Sequence, residues 1–249
     1  MKIISVANHK GGVGKTTTTA NLGAVLAVKG KKVLLIDMDP QAALTASFKI
    51  DPGDENNTYT FLTSKKILHD CVRKTEIENL FILPSVLDLA GAEAELLGRI
   101  GFERTLQKLI QKENSYDYVI IDSPPSLGVL AANCIVAAHH LVIPVQCEFL
   151  ALKALAQLNG IIENAKTSNP DITKKILFTM YNKRTLHAEE VVSEIRKYFK
   201  TYKTCVTRTI KFAESVAAGI PLVLLYKDSE QADQYRQLAQ EVLNGKNVY

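Results

Sequence analysis

The sequence predicts a doubly wound α/β fold, a mainly parallel sheet with helices on both faces. Three observations carry that expectation. Continuous Val/Ile/Leu runs, not alternating ones, recur along the chain, as strands covered on both faces require. Helical patterns separate these runs, which calls for right-handed crossovers between parallel neighbours. A glycine-rich stretch, His9-Lys10-Gly11-Gly12-Val13-Gly14-Lys15-Thr16-Thr17, joins the first apolar run to the first helix. Sheets of this kind bind ligands beyond the carboxyl ends of their strands.

Taken in order, the apolar runs place strands at residues 2–7, 32–36, 80–83, 117–121, 141–145 and 175–180, with a short one near 205–207. A helix is expected from Thr17 to about Lys29, ended by Gly30. Further helices fit residues 86–112, 126–138, 150–167, 186–200 and 229–243, and Asn169-Pro170 marks a turn after the 150–167 helix. The last helix has apolar positions at 232, 235, 238, 239, 242 and 243, a single stripe suited to packing on a sheet. Residues 50–79 carry the weakest pattern, a polar loop followed by an ambiguous helix. With no repeat, low-complexity segment or linker, the chain is expected to form one domain over residues 1–249.

An apolar fraction of 47% and a charged fraction of 22% are those of a soluble globular protein. No apolar run has the length to cross a bilayer. The first strand follows Met1 directly, so no signal peptide is expected and a cytoplasmic location is. Cys71, Cys134, Cys147 and Cys205 form no C-x-x-C pair and read as reduced thiols. The net charge is +4, yet residues 183–211 alone hold eight Lys/Arg against three acids, a net of +5. That concentration suits either a footprint for phosphate or a solvated helix face.

The glycine-rich stretch has the chemistry of a phosphate-binding loop. Absent side chains let consecutive backbone N–H groups converge on an anion, Lys15 supplies a charge for the β- and γ-phosphates, and the Thr16 hydroxyl can ligate Mg²⁺. Lys10 is additional. One loop cannot easily aim two lysines at the same phosphates, so Lys10 is expected to reach a nucleotide held by another subunit. The run Tyr118-Val119-Ile120-Ile121-Asp122 ends an apolar strand in an acid that can hold Mg²⁺ beside Thr16. Asp37 and Asp39, one residue apart at the end of another strand, face the same side if extended geometry persists.

The run K-G-G-V-G-K-T-T, with His9 at the usual first glycine position, resembles the deviant Walker A loop of the ParA/MinD family of P-loop ATPases. The resemblance spans nearly the whole chain. It implies ATP and Mg²⁺ as ligands, bound by residues 10–17 with Thr16, Asp37 and Asp122 near the metal. It also implies a nucleotide-sandwich homodimer in which Lys10, Lys15 and Asp39 act in hydrolysis. Asp37-Met38-Asp39-Pro40-Gln41 resembles the family's switch I, although Ala42-Ala43-Leu44-Thr45 follows where G-N-A-T is usual. By the same resemblance Asn182, Val206 and Thr207 lie near adenine, and Glu148 lies near the partner's nucleotide.

Arg208-Thr209-Ile210-Lys211-Phe212-Ala213-Glu214-Ser215 resembles the DNA-contacting segment of the ParA/Soj branch, with Lys211 in place of the usual Arg. Arg208 and Lys211 are thereby implied to contact phosphates of nonspecific double-stranded DNA. A ParB-type centromere-binding protein is implied as partner, with the ATPase on the nucleoid. A MinD-like membrane-cycling ATPase is an alternative, but only Arg236 is basic in the last helix, so no membrane contact is expected. An iron–sulfur carrier of the nitrogenase iron-protein kind would need paired cysteines at a dimer interface, and Cys134 and Cys147 do not form that arrangement. A scaffold without turnover would not need all of Lys10, Lys15, Asp39 and Asp122.

Overall fold

The computed structural model describes residues 1–64, 66–148, 151–182 and 185–244. Strands β1 (Lys2–Val6), β2 (Val33–Asp37), β3 (Arg73–Lys74), β4 (Leu80–Leu83), β5 (Tyr118–Asp122), β6 (His140–Gln146), β7 (Thr173–Tyr181) and β8 (Thr201–Thr207) form one sheet. Their order is β3-β4-β2-β5-β1-β6-β7-β8, and every neighbouring pair is parallel except β3–β4. The α-helices are α1 (Lys15–Val28), α2 (Ala43–Ser47), α3 (Thr58–Thr63), α4 (Leu68–Cys71), α5 (Ala92–Leu97), α6 (Thr105–Ile110) and α7 (Val129–Ala137). They continue with α8 (Ala151–Ala165), α9 (Leu186–Tyr198), α10 (Lys211–Ala218), α11 (Leu222–Leu225) and α12 (Glu230–Asn244).

Strand side chains alternate between two cores. Ile4, Leu35 and Ile120 meet α1, α2, α11 and α12, while Ile3, Leu34 and Val119 meet α3 to α7. Leu141, Ile143 and Val145 of β6 extend the second layer beneath α8 and α9. Gly23 lets α1 pack against β2, since a Cβ there would stand 2.6 Å from Leu35 Cδ2. The end of α1 is where the sequence placed it, with the Gly30 N–H donating to the Ala27 carbonyl at 2.8 Å.

Several expectations are corrected. The single helix expected over 86–112 is broken into a 3₁₀ turn (Leu87–Gly91), α5, a second 3₁₀ turn (Phe102–Arg104) and α6. Gly101, at φ +70°, turns the chain between them. Leu96, Leu106 and Ile110 are buried on either side of this turn, whereas Ile100 beside it is fully exposed. Strand β8 is longer than residues 205–207. Tyr202, Thr204 and Val206 point inward along it, and Glu241 of α12 accepts the Lys203 and Thr204 N–H groups at 2.9 Å each. Residues 50–79 hold α3, α4 and β3, with α3 started by an Asn57–Thr60 capping box. Strands β2 and β5 each run one residue further than expected, onto Asp37 and Asp122. Among the described residues no helix is long and apolar enough to cross a membrane.

Candidate functional site

After β1 the chain turns through residues 8–14 into α1. The buried Asn8 pins this loop, donating from Nδ2 to the Pro144 carbonyl at 2.7 Å and accepting the Lys10 N–H at 3.1 Å. From β7, the Thr179 hydroxyl donates to the Val13 carbonyl at 2.8 Å. Strands β6 and β7 thus hold the loop from one side. A Cβ at Gly11 or Gly12 would meet nothing within 4 Å, so the loop is an open cradle of backbone. Lys15 is buried, and its ammonium donates to the Lys10 carbonyl at 3.2 Å. Burial lowers its pKa, and the charges of Asp122 and Asp39 act in the opposite sense.

The parallel register sets Val6, Asp122 and Asp37 side by side on β1, β5 and β2. Both acids are fully buried. Asp122 accepts the Thr16 hydroxyl at 2.7 Å and the Thr19 hydroxyl at 3.4 Å. Asp37 accepts the Thr45 N–H at 2.8 Å, the Thr45 hydroxyl at 2.7 Å and the Asp39 N–H at 3.1 Å. Burial pushes the Asp37 carboxyl up to about 6. Burial first, and then the charge of Asp37, lifts Asp122 well above the usual carboxylate range. Two buried carboxylates on adjacent strands beside a threonine hydroxyl form a hard-oxygen site short of positive charge. That donor set fits Mg²⁺, which binds through one or two carboxylates together with substrate phosphates.

Asp39 is half-buried, and its carboxylate accepts the Gln41 N–H at 3.0 Å. Its carbonyl accepts the Ser85 hydroxyl at 2.8 Å, and the Ser85 N–H donates to the Thr45 hydroxyl at 2.9 Å. Lys10 and Glu148 form an ion pair within the chain, with side chains 46% and 45% exposed. Both line a cavity of about 390 Å³ with Asn8, Val13 and Leu155.

The fold therefore gathers residues 10–17, Asp37, Asp39, Asp122 and Glu148 at one end of the sheet. Asn182, Val206 and Thr207 lie at the same end, on or beyond β7 and β8. Val206 and Thr207 are buried, and the Thr207 N–H donates to Gln234 of α12 at 2.9 Å. Arg208 is exposed just beyond β8, and Lys211 opens α10 with its ammonium 5.2 Å from the Tyr226 ring. Lys183 and Arg184, counted in the basic stretch, lie outside the described residues. Asn8, Thr45, Ser85 and Thr179 were not singled out from the sequence. Their hydrogen bonds join residues from two to 166 positions apart, and such partners leave no local pattern.

The similarities of the chain agree with this geometry. A protein-family profile described as an AAA domain matches residues 1–174. The sporulation initiation inhibitor protein Soj of Bacillus subtilis (strain 168) is 43% identical over 247 residues, covering 97% of this chain and 98% of that protein. The chromosome-partitioning ATPase Soj of Treponema pallidum (strain Nichols) is 37% identical, covering 97% of each chain. Among solved structures, cobyrinic acid a,c-diamide synthase from Mycobacterium smegmatis with a bound ATP analogue and magnesium superposes with a TM-score of 0.88. It is 35% identical and covers 99% of this chain and 96% of that one. The doubled-lysine loop, the acids ending β2 and β5, and likeness to Soj along nearly the whole length lead to one conclusion: the chain belongs to the ParA/Soj family of deviant Walker A ATPases.

Proposed function

We propose that this protein is an ATPase that dimerises around ATP, binds nonspecific duplex DNA in that state, and partitions a chromosome or plasmid with a ParB-type partner. The carrying observation is the convergence of Lys10, Lys15, Thr16, Asp37, Asp39 and Asp122 at the carboxyl ends of β1, β2 and β5. In this reading residues 1–249 are one ATPase domain, working in the cytoplasm on the nucleoid.

The cradle's N–H groups and Lys15 hold the phosphates, and Asp39 orients the attacking water, since positioning and charge stabilisation are most of what phosphoryl transfer needs. Mg²⁺, when bound, supplies further charge neutralisation next to Thr16, Asp37 and Asp122. Lys10 reaches the nucleotide of a second copy. Its pair with Glu148 is solvent-exposed, and such pairs are worth under about 1 kcal/mol, so exchanging it for a phosphate contact is cheap. Val206 and Thr207, with Asn182, flank the base.

Arg208 and Lys211 give two phosphate contacts per subunit, and doubling them on dimerisation makes DNA affinity follow ATP. Two observations favour DNA over the alternatives. Helix α12 buries its apolar stripe, including Tyr235, Leu238 and Val242, against α1 and β8, so the described part of that helix offers no apolar face to a membrane. Cys134 is fully buried and burial holds its thiol well above the usual range, which suits a core residue and not a cluster ligand.

The test is binding to nonspecific duplex DNA with ATP, ADP and no nucleotide, at two salt concentrations. ATP should raise affinity and salt should lower it. Lys10→Ala should remove ATP-driven dimerisation and most turnover. Equal DNA affinity in all three nucleotide states would overturn the reading.

A further inference from the structure

The five-residue helix α2 and its flanks have features that holding the nucleotide does not require. Two residues with side chains, Ala42 and Lys49, both at φ +52°, bracket the helix in the left-handed region that favours glycine. Backbone outliers of this kind persist only where the surrounding structure holds them, and they gather at switching segments. Thr45, within the helix, grips Asp37 with both its N–H and its hydroxyl and accepts the Ser85 N–H. Leu44 and Phe48 share one core with Phe212 of α10, so α2 and α10 are packed together.

At the far end of the segment the Lys49 stem lies across Gly219, which ends α10 at φ +77°. A Cβ there would stand 2.8 Å from Lys49 Cδ and 2.9 Å from Cγ, so only glycine suits both the backbone and the contact. Thr16 and Thr17 of α1, Ser47 of α2, and Ser215 and Val216 of α10 enclose a small cavity of about 30 Å³. The phosphate-end helix, α2 and the helix carrying Lys211 therefore meet at one place.

We propose that residues 42–50 form a coupling element between the phosphate end and α10, the helix that opens with Lys211. Thr45 is its positioning residue on Asp37, and the Lys49–Gly219 contact is its output. Rearrangement around Asp37 and Asp39 is passed through Thr45 to a short helix hinged at Ala42 and Lys49. That helix moves α10 because the two share a core and the Lys49 stem is seated on Gly219. Coupling of this kind requires an element with two arrangements that both sites bias, and the two left-handed hinges supply its ends. The last step rests on the DNA reading above, whereas the motion of α10 does not.

Two readouts test it on the full chain. The first is the ratio of DNA dissociation constants with ADP and with a nonhydrolysable ATP analogue. Lys49→Gly, which removes the stem and relaxes the backbone, should shrink that ratio about fivefold or more. Lys49→Met keeps the stem without the charge and should preserve the ratio even if overall affinity falls. Thr45→Val should shrink it and Thr45→Ser restore it. The second readout is hydrogen exchange of the α10 amides on adding the analogue, which needs no DNA. It should change in the wild type and in Lys49→Met but not in Lys49→Gly. Nucleotide affinity of the Lys49 variants should stay within about twofold of wild type. An unchanged α10 response in Lys49→Gly and Thr45→Val would overturn the coupling element. Failure of the wild type to bind DNA, with the α10 response intact, would instead overturn the DNA reading alone.

Discussion

Asp122 shows what this site costs the fold. It lies in the core beside Asp37, its register neighbour, and burial favours the protonated form of both. A carboxyl whose folded pKa is raised stabilises the fold below its unfolded pKa and loses that contribution as pH rises through the folded value. For Asp37, moved from 3.8 to about 6, that window is roughly pH 4 to 6, and the loss is about 3 kcal/mol. At about pH 7.5 the buried Asp37 charge thus sits beside a second buried carboxyl, an arrangement a cation would relieve. Asp122→Asn should raise the melting temperature of the nucleotide-free protein by about 3–8 °C, from roughly 1–3 kcal/mol, while abolishing phosphate release. Thermal unfolding and a phosphate assay check both halves, and a lowered melting temperature would contradict the electrostatic account.

At the scale of elements, β8 and the start of β6 carry the clearest stakes. Strand β8 is one edge of the sheet, and Glu241 caps two of its N–H groups and accepts the Thr204 hydroxyl at 2.7 Å. Glu241→Ala should cost about 2 kcal/mol in denaturant unfolding, because it strips partners from three polar groups, and should expose an edge prone to pairing. Light scattering that rises with protein concentration in the variant alone would register that exposure. His140, at the start of β6, lies 2.7 Å from the Thr173 hydroxyl and 2.6 Å from the Tyr202 hydroxyl. Burial lowers its pKa from 6.5 to about 4. The neutral ring is the form the fold accepts, so its stability is complete above about pH 6.5 and is lost as pH falls towards 4. The total is about 3 kcal/mol, opposite in sign to the Asp37 effect. Stability measured from about pH 7 to 4.5 should fall less in His140→Gln than in wild type, and equal slopes would remove His140 from the account.

At the scale of the molecule, α1, α2 and α10 meet beside the phosphate loop, while Arg208 lies beyond β8. Arg208 is exposed there and belongs to neither core. Arg208→Glu should therefore abolish DNA binding and leave ATP-dependent dimerisation intact, measured by gel retardation and by light scattering of the dimer. Loss of both together would mean that the residue supports the fold. Loss of the contact alone, as in Arg208→Ala, should weaken binding to all sequences alike and flatten its salt dependence.

The phosphate loop and its strand–loop–helix setting were legible because they are local: glycines, lysines and a threonine at fixed spacing after an apolar run. The same holds for most strands and for the end of α1 near Gly30. The broken 86–112 segment was not, since helical spacing of apolar residues on either side of Gly101 does not itself mark the turn between them. Nor was the length of β8, whose inward residues alternate on an edge strand that α12 must cover. By itself the sequence determined the fold class, the nucleotide loop and the pair of acids, each written in consecutive residues. Only the tertiary structure decided that Asp37 and Asp122 are neighbours in register, that Thr45 and Ser85 hold the segment after β2, and that Lys49 lies on Gly219. Those contacts join positions from about eight to 170 residues apart, and parallel crossovers, not local spacing, bring such positions together.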